Sequence, residues 1–189
     1  MHLHQRCDHG GSSVLVDAER SLETSRLSLE PLTVAHAVEL FEPLQDARIY
    51  TYESLAAPAS LAFLEARYAL LARRRSPDGS QIWLNWAVRQ RAGEYVGLVQ
   101  ATLEGRRALI GYDFFPPFWR RGFAREACAE VVRFLVAECA TRVVEATVDV
   151  ENAASIKLLE ALGFSRVSTG PSDDMRGHTD HRYEYAAKN

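Results

Sequence analysis

Residues 107–127 read RALIGYDFFPPFWRRGFAREA, and the fold is decided there. RALIGYDFF is a strand-like run, and Pro116-Pro117 stops it because proline brings no N–H to a ladder. After WRRG the spacing changes: Ala124, Cys128, Val131, Leu135 and Cys139 fall on one helical face, with Glu130 and Arg133 elsewhere on the helix. A strand thus passes into a helix through a short basic loop. Unpaired N–H groups and the helix dipole favour an anion at such a start. Gly122 and Ala124 leave room for a phosphate to approach the backbone, and Arg120, Arg121 and Arg125 add positive charge. The alternative is a helix start that uses glycine for flexibility, with solvated arginines.

Upstream, QIWLNWAVRQ (81–90) and EYVGLVQATL (94–103) join this strand through RAG and EGR turns, as an antiparallel meander does. Before them, RLSLEPL (26–32) predicts a first strand and VAHAVELFEPL (34–44) a helix. SLAFLEARYALLARRR (60–75) predicts a second helix, with Leu61, Leu64, Tyr68 and Leu71 on one face and Arg73, Arg74 and Arg75 as a solvated last turn. Downstream, RVVEATVDV (142–150) is a β-branched strand, NAASIKLLEALGF (152–164) a short helix closed by Gly163 at C′, and HRYEYAA (181–187) a closing strand. The order describes a mixed α/β (α+β) sheet in one domain over residues 22–189. Residues 1–21, with three of the six histidines and only Val14-Leu15-Val16 as an apolar run, read as a flexible tail.

Composition agrees with one ordinary globular domain: 189 residues, 47% hydrophobic and 25% charged. With 22 basic against 25 acidic residues, net −3, the broad positive field of a nucleic-acid binder is missing. Three cysteines provide no disulfide framework, and Cys128 and Cys139 read as buried thiols. No apolar run approaches the ~20 residues of a membrane span, and the opening lacks a signal-peptide core, so the expectation is a cytoplasmic protein with no membrane partner. His2, His4, Cys7 and His9 have metal-ligand chemistry, but a terminal arm without supporting groups reads better as solvated, and no metal site is expected.

No GxGxxG, Walker loop, GxSxG elbow or CxxC pair occurs. His178 and His181 are three apart, so in a strand they point to opposite faces and cannot share a metal ion; either could serve as a lone acid/base group. Asn152 opens a helix directly after a strand, where an N-cap alone would explain it, and Ser155 falls in the first turn within reach of backbone or of a ligand.

Taken together, IGYDFFPPFWRRGFAREA and VDVENAASIKLLEALGF resemble the two cofactor-binding motifs of the GNAT superfamily of acetyl-CoA-dependent N-acetyltransferases. The match is closest to its branch of ribosomal-protein alanine and serine N-acetyltransferases. It covers about residues 24–187, from ETSRLSLEPLT to GFSRVSTG and HRYEYA. The resemblance implies a central, largely antiparallel sheet with two splayed parallel strands and flanking helices. It implies a pyrophosphate on backbone amides of the loop Trp119, Arg120, Arg121, Gly122, Phe123, Ala124 and Arg125, with Gly122 and Ala124 in the last two defined places. Trp119 replaces the usual Gln or Arg, as in many members of that branch. The pantetheine arm would lie between the end of RALIGYDFF and the start of the strand before Asn152, beside the backbone of Asp113, Phe114 and Phe115.

The implied reaction is direct attack of a primary amine on the thioester in a ternary complex. The amine is either a protein or peptide N-terminus or a small molecule. Many members protonate the leaving sulfur with a tyrosine in the helix after the Asn, where this chain has Leu159. By resemblance Ser155 becomes the proton donor or sulfur-orienting hydroxyl, and Asn152 holds the pantetheine arm. Asp113, Asp173, Asp174 and Glu104 are the candidates for a base. The alternative of a different class is a catalytically weak acetyl-CoA-binding sensor or scaffold. The partners expected are acetyl-CoA and the amine, in a monomer or homodimer; Tyr50, Tyr52, Trp83 and Trp86 line an acceptor pocket or belong to ordinary packing.

Overall fold

The computed structural model describes residues 4–7, 14–91, 93–173 and 177–187, with side chains from residue 16 onward. A two-stranded ribbon, β1 (His4–Cys7) and β2 (Val14–Asp17), precedes an eight-stranded sheet. The sheet order is β3 (Leu22–Glu23), β4 (Leu27–Pro31), β5 (Ile82–Gln90), β6 (Tyr95–Glu104), β7 (Arg107–Phe114), β8 (Val143–Asp149), β10 (Thr179–Ala186), β9 (Ser165–Pro171). Every neighbouring pair is antiparallel except β7 and β8, which run parallel. This is the mixed α/β, largely antiparallel architecture expected from the sequence.

Four α-helices cover the sheet: α1 (His36–Phe41), α2 (Leu61–Leu71), α3 (Phe123–Glu138) and α4 (Ala153–Ala161). They divide between two cores. Along β5, Leu84, Trp86 and Val88 join the core packed by α3 and α4, while Ala87 between them joins the core packed by α1 and α2. This is the two-residue period of a strand buried on both faces. On α3 the expected face is buried: Cys128, Val131, Leu135 and the C-cap residue Cys139 are all within 1% of full burial, and Ala124 in the first turn is partly buried. Arg133 pairs with Glu130 on the outer side. The helix predicted over 34–44 is shorter, because Pro43 opens a 3-10 turn (Pro43–Gln45), and a second such turn follows at Ala47–Tyr50. Among the described residues, no helix is long and apolar enough to cross a membrane.

The packed chain begins earlier than the predicted tail boundary. Val16 and Ala18 are buried in the first core, and the Trp86 indole donates to the Arg20 carbonyl at 2.9 Å. The arginine run also departs from expectation. Helix α2 stops at Leu71, and Arg74 takes a positive φ of 61°, which turns its side chain inward to 2% exposure. There its Nε donates to Glu19 at 2.9 Å. Arg74 is therefore a buried tie to the N-terminal segment, while Arg73 remains exposed.

Candidate active site

The parallel strands β7 and β8 pair only through Arg107–Leu109 against Val143–Glu145. Beyond them β7 continues to Phe114 and β8 to Asp149, each laddered on its outer side but not to the other. Parallel strands joined at their starts diverge at their ends. The opening therefore lies at the end of β8, beside Asn152, and not at its start as the sequence reading had it. On the far side of β7, a Cβ at Gly97 would lie 2.3 Å from the Asp113 carbonyl oxygen. Only glycine lets β6 back the end of β7 so closely.

Both diverging strands lead into helix starts. After β7, the chain makes a 3-10 turn (Pro116–Phe118) and enters α3 through Gly122 at φ 80°. That N-cap position has no side-chain hydrogen bond, so the first amides of α3 are uncapped. Arg120 also has a positive φ, 59°. Trp119 is 45% exposed, and its indole N–H donates to the Phe114 carbonyl at 2.5 Å, fastening the loop to the strand end. The Arg121 guanidinium stacks over Phe118 and Phe123, and Arg120 and Arg125 point to solvent. Of the proposed contact residues, Phe114, Phe115 and Phe123 bury their side chains in the cores, leaving only their backbones for a ligand.

Glu126, in the first turn of α3, is a residue whose role sequence reasoning missed. Its carboxylate accepts from Thr24 Oγ1 at 2.5 Å, Ser25 Oγ at 3.1 Å, the Arg26 amide at 2.9 Å and Arg26 Nε at 2.6 Å. Burial alone would raise its pKa, but these hydrogen bonds outweigh burial and hold it at about 2. Arg26 also donates to the Arg121 carbonyl at 3.1 Å. The loop before α3 is thereby anchored to the turn between β3 and β4.

At the other start, Asn152 Oδ1 accepts from the Ser155 amide at 3.1 Å and caps α4 as predicted. The Ser155 hydroxyl lies 2.5 Å from the Tyr112 phenol of β7. This bond crosses the opening between the strands. Burial pushes the Tyr112 phenol well above its ordinary pKa despite the Ser155 bond, so it stays protonated. Leu159, the position of the family's usual tyrosine, is fully buried. Beside Ser155 is a cavity of about 70 Å³ lined by Tyr52, Glu53, Asp149, Asn152 and Asp180 among others. Asp149 is 5% exposed and accepts from the Glu151 amide at 2.7 Å and from His178 Nδ1 at 2.7 Å. Burial raises its pKa, and the His178 and Glu151 bonds outweigh that and bring it below the usual carboxylate value.

The candidate bases scatter. Asp113 lies on β7 next to Tyr112 in sequence, and burial pushes its carboxyl up, with Arg67 opposing. Glu104 is the last residue of β6, paired with Arg107 at the start of β7 and so at the other end of that strand from Tyr112, and Gln81 donates to it at 3.4 Å. Asp173 is exposed, and Asp174 is outside the described residues, as are the side chains of His2, His4, Cys7 and His9. Among the described residues no group of three or more His, Cys, Asp and Glu could hold a metal ion. Of the aromatic residues, Trp86 is core, Tyr50 donates to the Leu44 carbonyl at 2.8 Å, and Tyr52 lines the cavity.

The model of the acetyltransferase (GNAT) domain family matches residues 26–165, a span that holds both helix starts and the opening between them. The chain belongs to this family and is an acetyl-CoA-dependent N-acetyltransferase. It is 28% identical over 153 residues to the uncharacterized N-acetyltransferase YoaA of Bacillus subtilis, covering 77% of this chain and 82% of that protein. Its fold superimposes with a TM-score of 0.75 on the ribosomal-protein-S5-alanine acetyltransferase of Vibrio fischeri (15% identical; 88% of this chain, 96% of that one). A TM-score of 0.73 relates it to the spermidine N-acetyltransferase of Vibrio cholerae, solved with CoA and spermine (19% identical; 86% and 96%). These two proteins are named for acceptors of different size, a ribosomal protein and spermidine, on one fold, so the fold alone does not choose between them.

Proposed function

We propose that this chain binds acetyl-CoA along the opening between β7 and β8 and passes its acetyl group directly to a primary amine, either a protein or peptide N-terminus or a small molecule. The observation that carries this reading is the opening itself: two parallel strands that part after three residue pairs, with an uncapped helix start at one side and a serine hydroxyl bridged to a tyrosine across it. The residues fit a long anionic ligand. The open edge of β7 past Leu109 offers backbone partners to an amide-bearing arm, and the uncapped amides of α3 with Gly122 admit a phosphate. Arg120, Arg121 and Arg125 supply positive charge around that start.

Bound acetyl-CoA would supply an activated acetyl thioester. The chain's own work is to orient and to move protons. Ser155 is the proton donor or orienting group for the sulfur, and Tyr112, protonated and hydrogen bonded to it, sets the direction of its hydroxyl. Asn152 holds the pantetheine arm through the amide nitrogen that its cap leaves free. Positioning is the larger contribution: alignment of the reacting atoms can supply about 7–11 kcal/mol, against ~10²–10⁴-fold for one proton donor.

Thermal unfolding with acetyl-CoA and then CoA tests the binding step. At a hundredfold excess over Kd a ligand adds about 2.7 kcal/mol, which raises Tm by roughly 5–11 °C for a chain of this size. Both ligands should give this shift, and thiol release should then appear with N-terminal peptides or small amines. Ser155→Ala should keep the shift and lower kcat on the order of 10²-fold or more. No shift at millimolar ligand removes the reading, and an unchanged kcat removes Ser155 from the chemistry.

A further inference from the structure

The sequence left the proton acceptor open, and the structure brings together two residues that it had not paired. Asp149, at the end of β8, is buried and lines the cavity beside Ser155. Its Oδ2 lies 2.7 Å from Nδ1 of His178, which stands just before β10 with a side chain 39% exposed. His178 is also fixed through its backbone: its carbonyl accepts from the Ser172 amide at 2.9 Å, and both Ser172 and Asp180 line the same cavity. Its Nε2 has no partner among the described residues.

A buried carboxylate on one ring nitrogen fixes the tautomer: in the neutral ring the proton sits on Nδ1, toward Asp149, and Nε2 is left with its lone pair. This is the arrangement by which an acid orients a histidine for proton abstraction. His181, three residues on, is engaged instead by Thr169 Oγ1 at 2.8 Å and Arg166 at 3.2 Å. The other carboxylates along the cavity are Glu53 and Asp180. With Asp149 they give the cavity an acidic lining, which suits an amine.

We propose that His178 is the general base of the acetyl transfer, taking a proton from the incoming amine at Nε2, with Asp149 as its positioning residue. This rests on the transferase reading above. As the nitrogen of the neutral amine forms its bond to the acetyl carbon, the C–S bond breaks and its electron pair leaves on sulfur. Of the two protons on the attacking nitrogen, one stays in the amide and one passes to Nε2, from which it returns to solvent. The sulfur receives its proton through Ser155, replenished from solvent, so the products are the acetylated amine and CoA thiol.

His178→Gln keeps a hydrogen-bonding side chain but cannot accept that proton. With peptides carrying N-terminal alanine or serine and with spermidine as probes, the variant should lose about 10²-fold in kcat/KM and the low-pH limb of its profile. Its acetyl-CoA thermal shift should equal the wild type's. Independently of turnover, ¹⁵N NMR of the protein without ligand should show the neutral ring protonated at Nδ1 and bare at Nε2, and Asp149→Asn should weaken that preference. Unchanged kcat/KM and pH profile in His178→Gln, or a ring proton on Nε2 in the wild type, overturns the proposal. If acetyl-CoA fails to stabilise even the wild type, it is the transferase reading that fails, whatever the tautomer.

Discussion

The helices α3 and α4 start on either side of the same opening, and they start differently. At α3 the N-cap is Gly122 in the left-handed region with no side chain to satisfy the first amides, while at α4 Asn152 closes its own first turn through the Ser155 amide. The open start is surrounded by arginines and held by its own first-turn carboxylate, Glu126, which is anchored to the remote Thr24, Ser25 and Arg26. The closed start presents hydroxyls and amides and is bridged to β7 through Tyr112. A helix start whose amides have no internal partner can receive an anion; one that is capped from within gives precision to its own side chains. Under the proposed function, this difference would give phosphate binding to α3 and the reacting atoms to α4.

The largest effect should come from putting a charge at the open start. Gly122→Asp introduces a carboxylate where the phosphates would lie, and the acetyl-CoA thermal shift should vanish. Because φ there is 80°, Gly122→Asn is the control: asparagine tolerates this backbone and carries no charge, so it should fold and keep much of the shift. Retained binding in Gly122→Asp would mean that α3 does not receive the phosphates and the contrast between the two starts has no functional content.

The same experiment at the closed start should read mainly as stability. Asn152→Ala removes a cap, a loss of about 1 kcal/mol, which lowers Tm by roughly 2–4 °C. Affinity for acetyl-CoA should fall less than in Gly122→Asp, because only the pantetheine contact is lost. If the two variants lose affinity equally, α4 carries more of the ligand than its capped amides suggest.

Much of this pair was legible locally. The switch from a strand period to a helical one at Pro116-Pro117, the glycine at the α3 start and the Asn-x-x-Ser spacing at α4 are all short-range signals, and the structure has the strand end and the two helix starts where they put them. What escaped was pairing across the chain. Glu126 reads as an ordinary first-turn acid until Thr24 to Arg26, about a hundred residues earlier, are seen to surround it. Tyr112 and Ser155, like Asp149 and His178, meet only because β7, β8 and β10 are neighbours, and no periodicity announces it. Arg74 was misplaced for a similar reason: within its helix it looks like a solvated end, and only Glu19 explains why it turns inward.

The smallest expected effect tests the anchor of the open start. Glu126 has a carboxyl at about 2 in the folded chain, below the roughly 4.3 of an unfolded glutamate. A depressed carboxyl contributes stability that is complete above the unfolded value and is lost as pH falls toward the folded one. Tm should therefore drop between about pH 4.5 and pH 2. Other carboxylates with lowered values, such as Asp149, Glu30 and Glu145, contribute to the same decline, so the measurement is a difference. Glu126→Gln should be less stable than wild type at pH 7 and should lose less over that interval. The gap between the two should narrow in high salt, since the Arg26 side chain is 47% exposed and its charge is open to screening. Parallel curves would mean that the hydrogen bonds around Glu126 carry no charge-dependent stability, and that the open start is held by the Arg26 and Arg121 stacking on Phe123 instead.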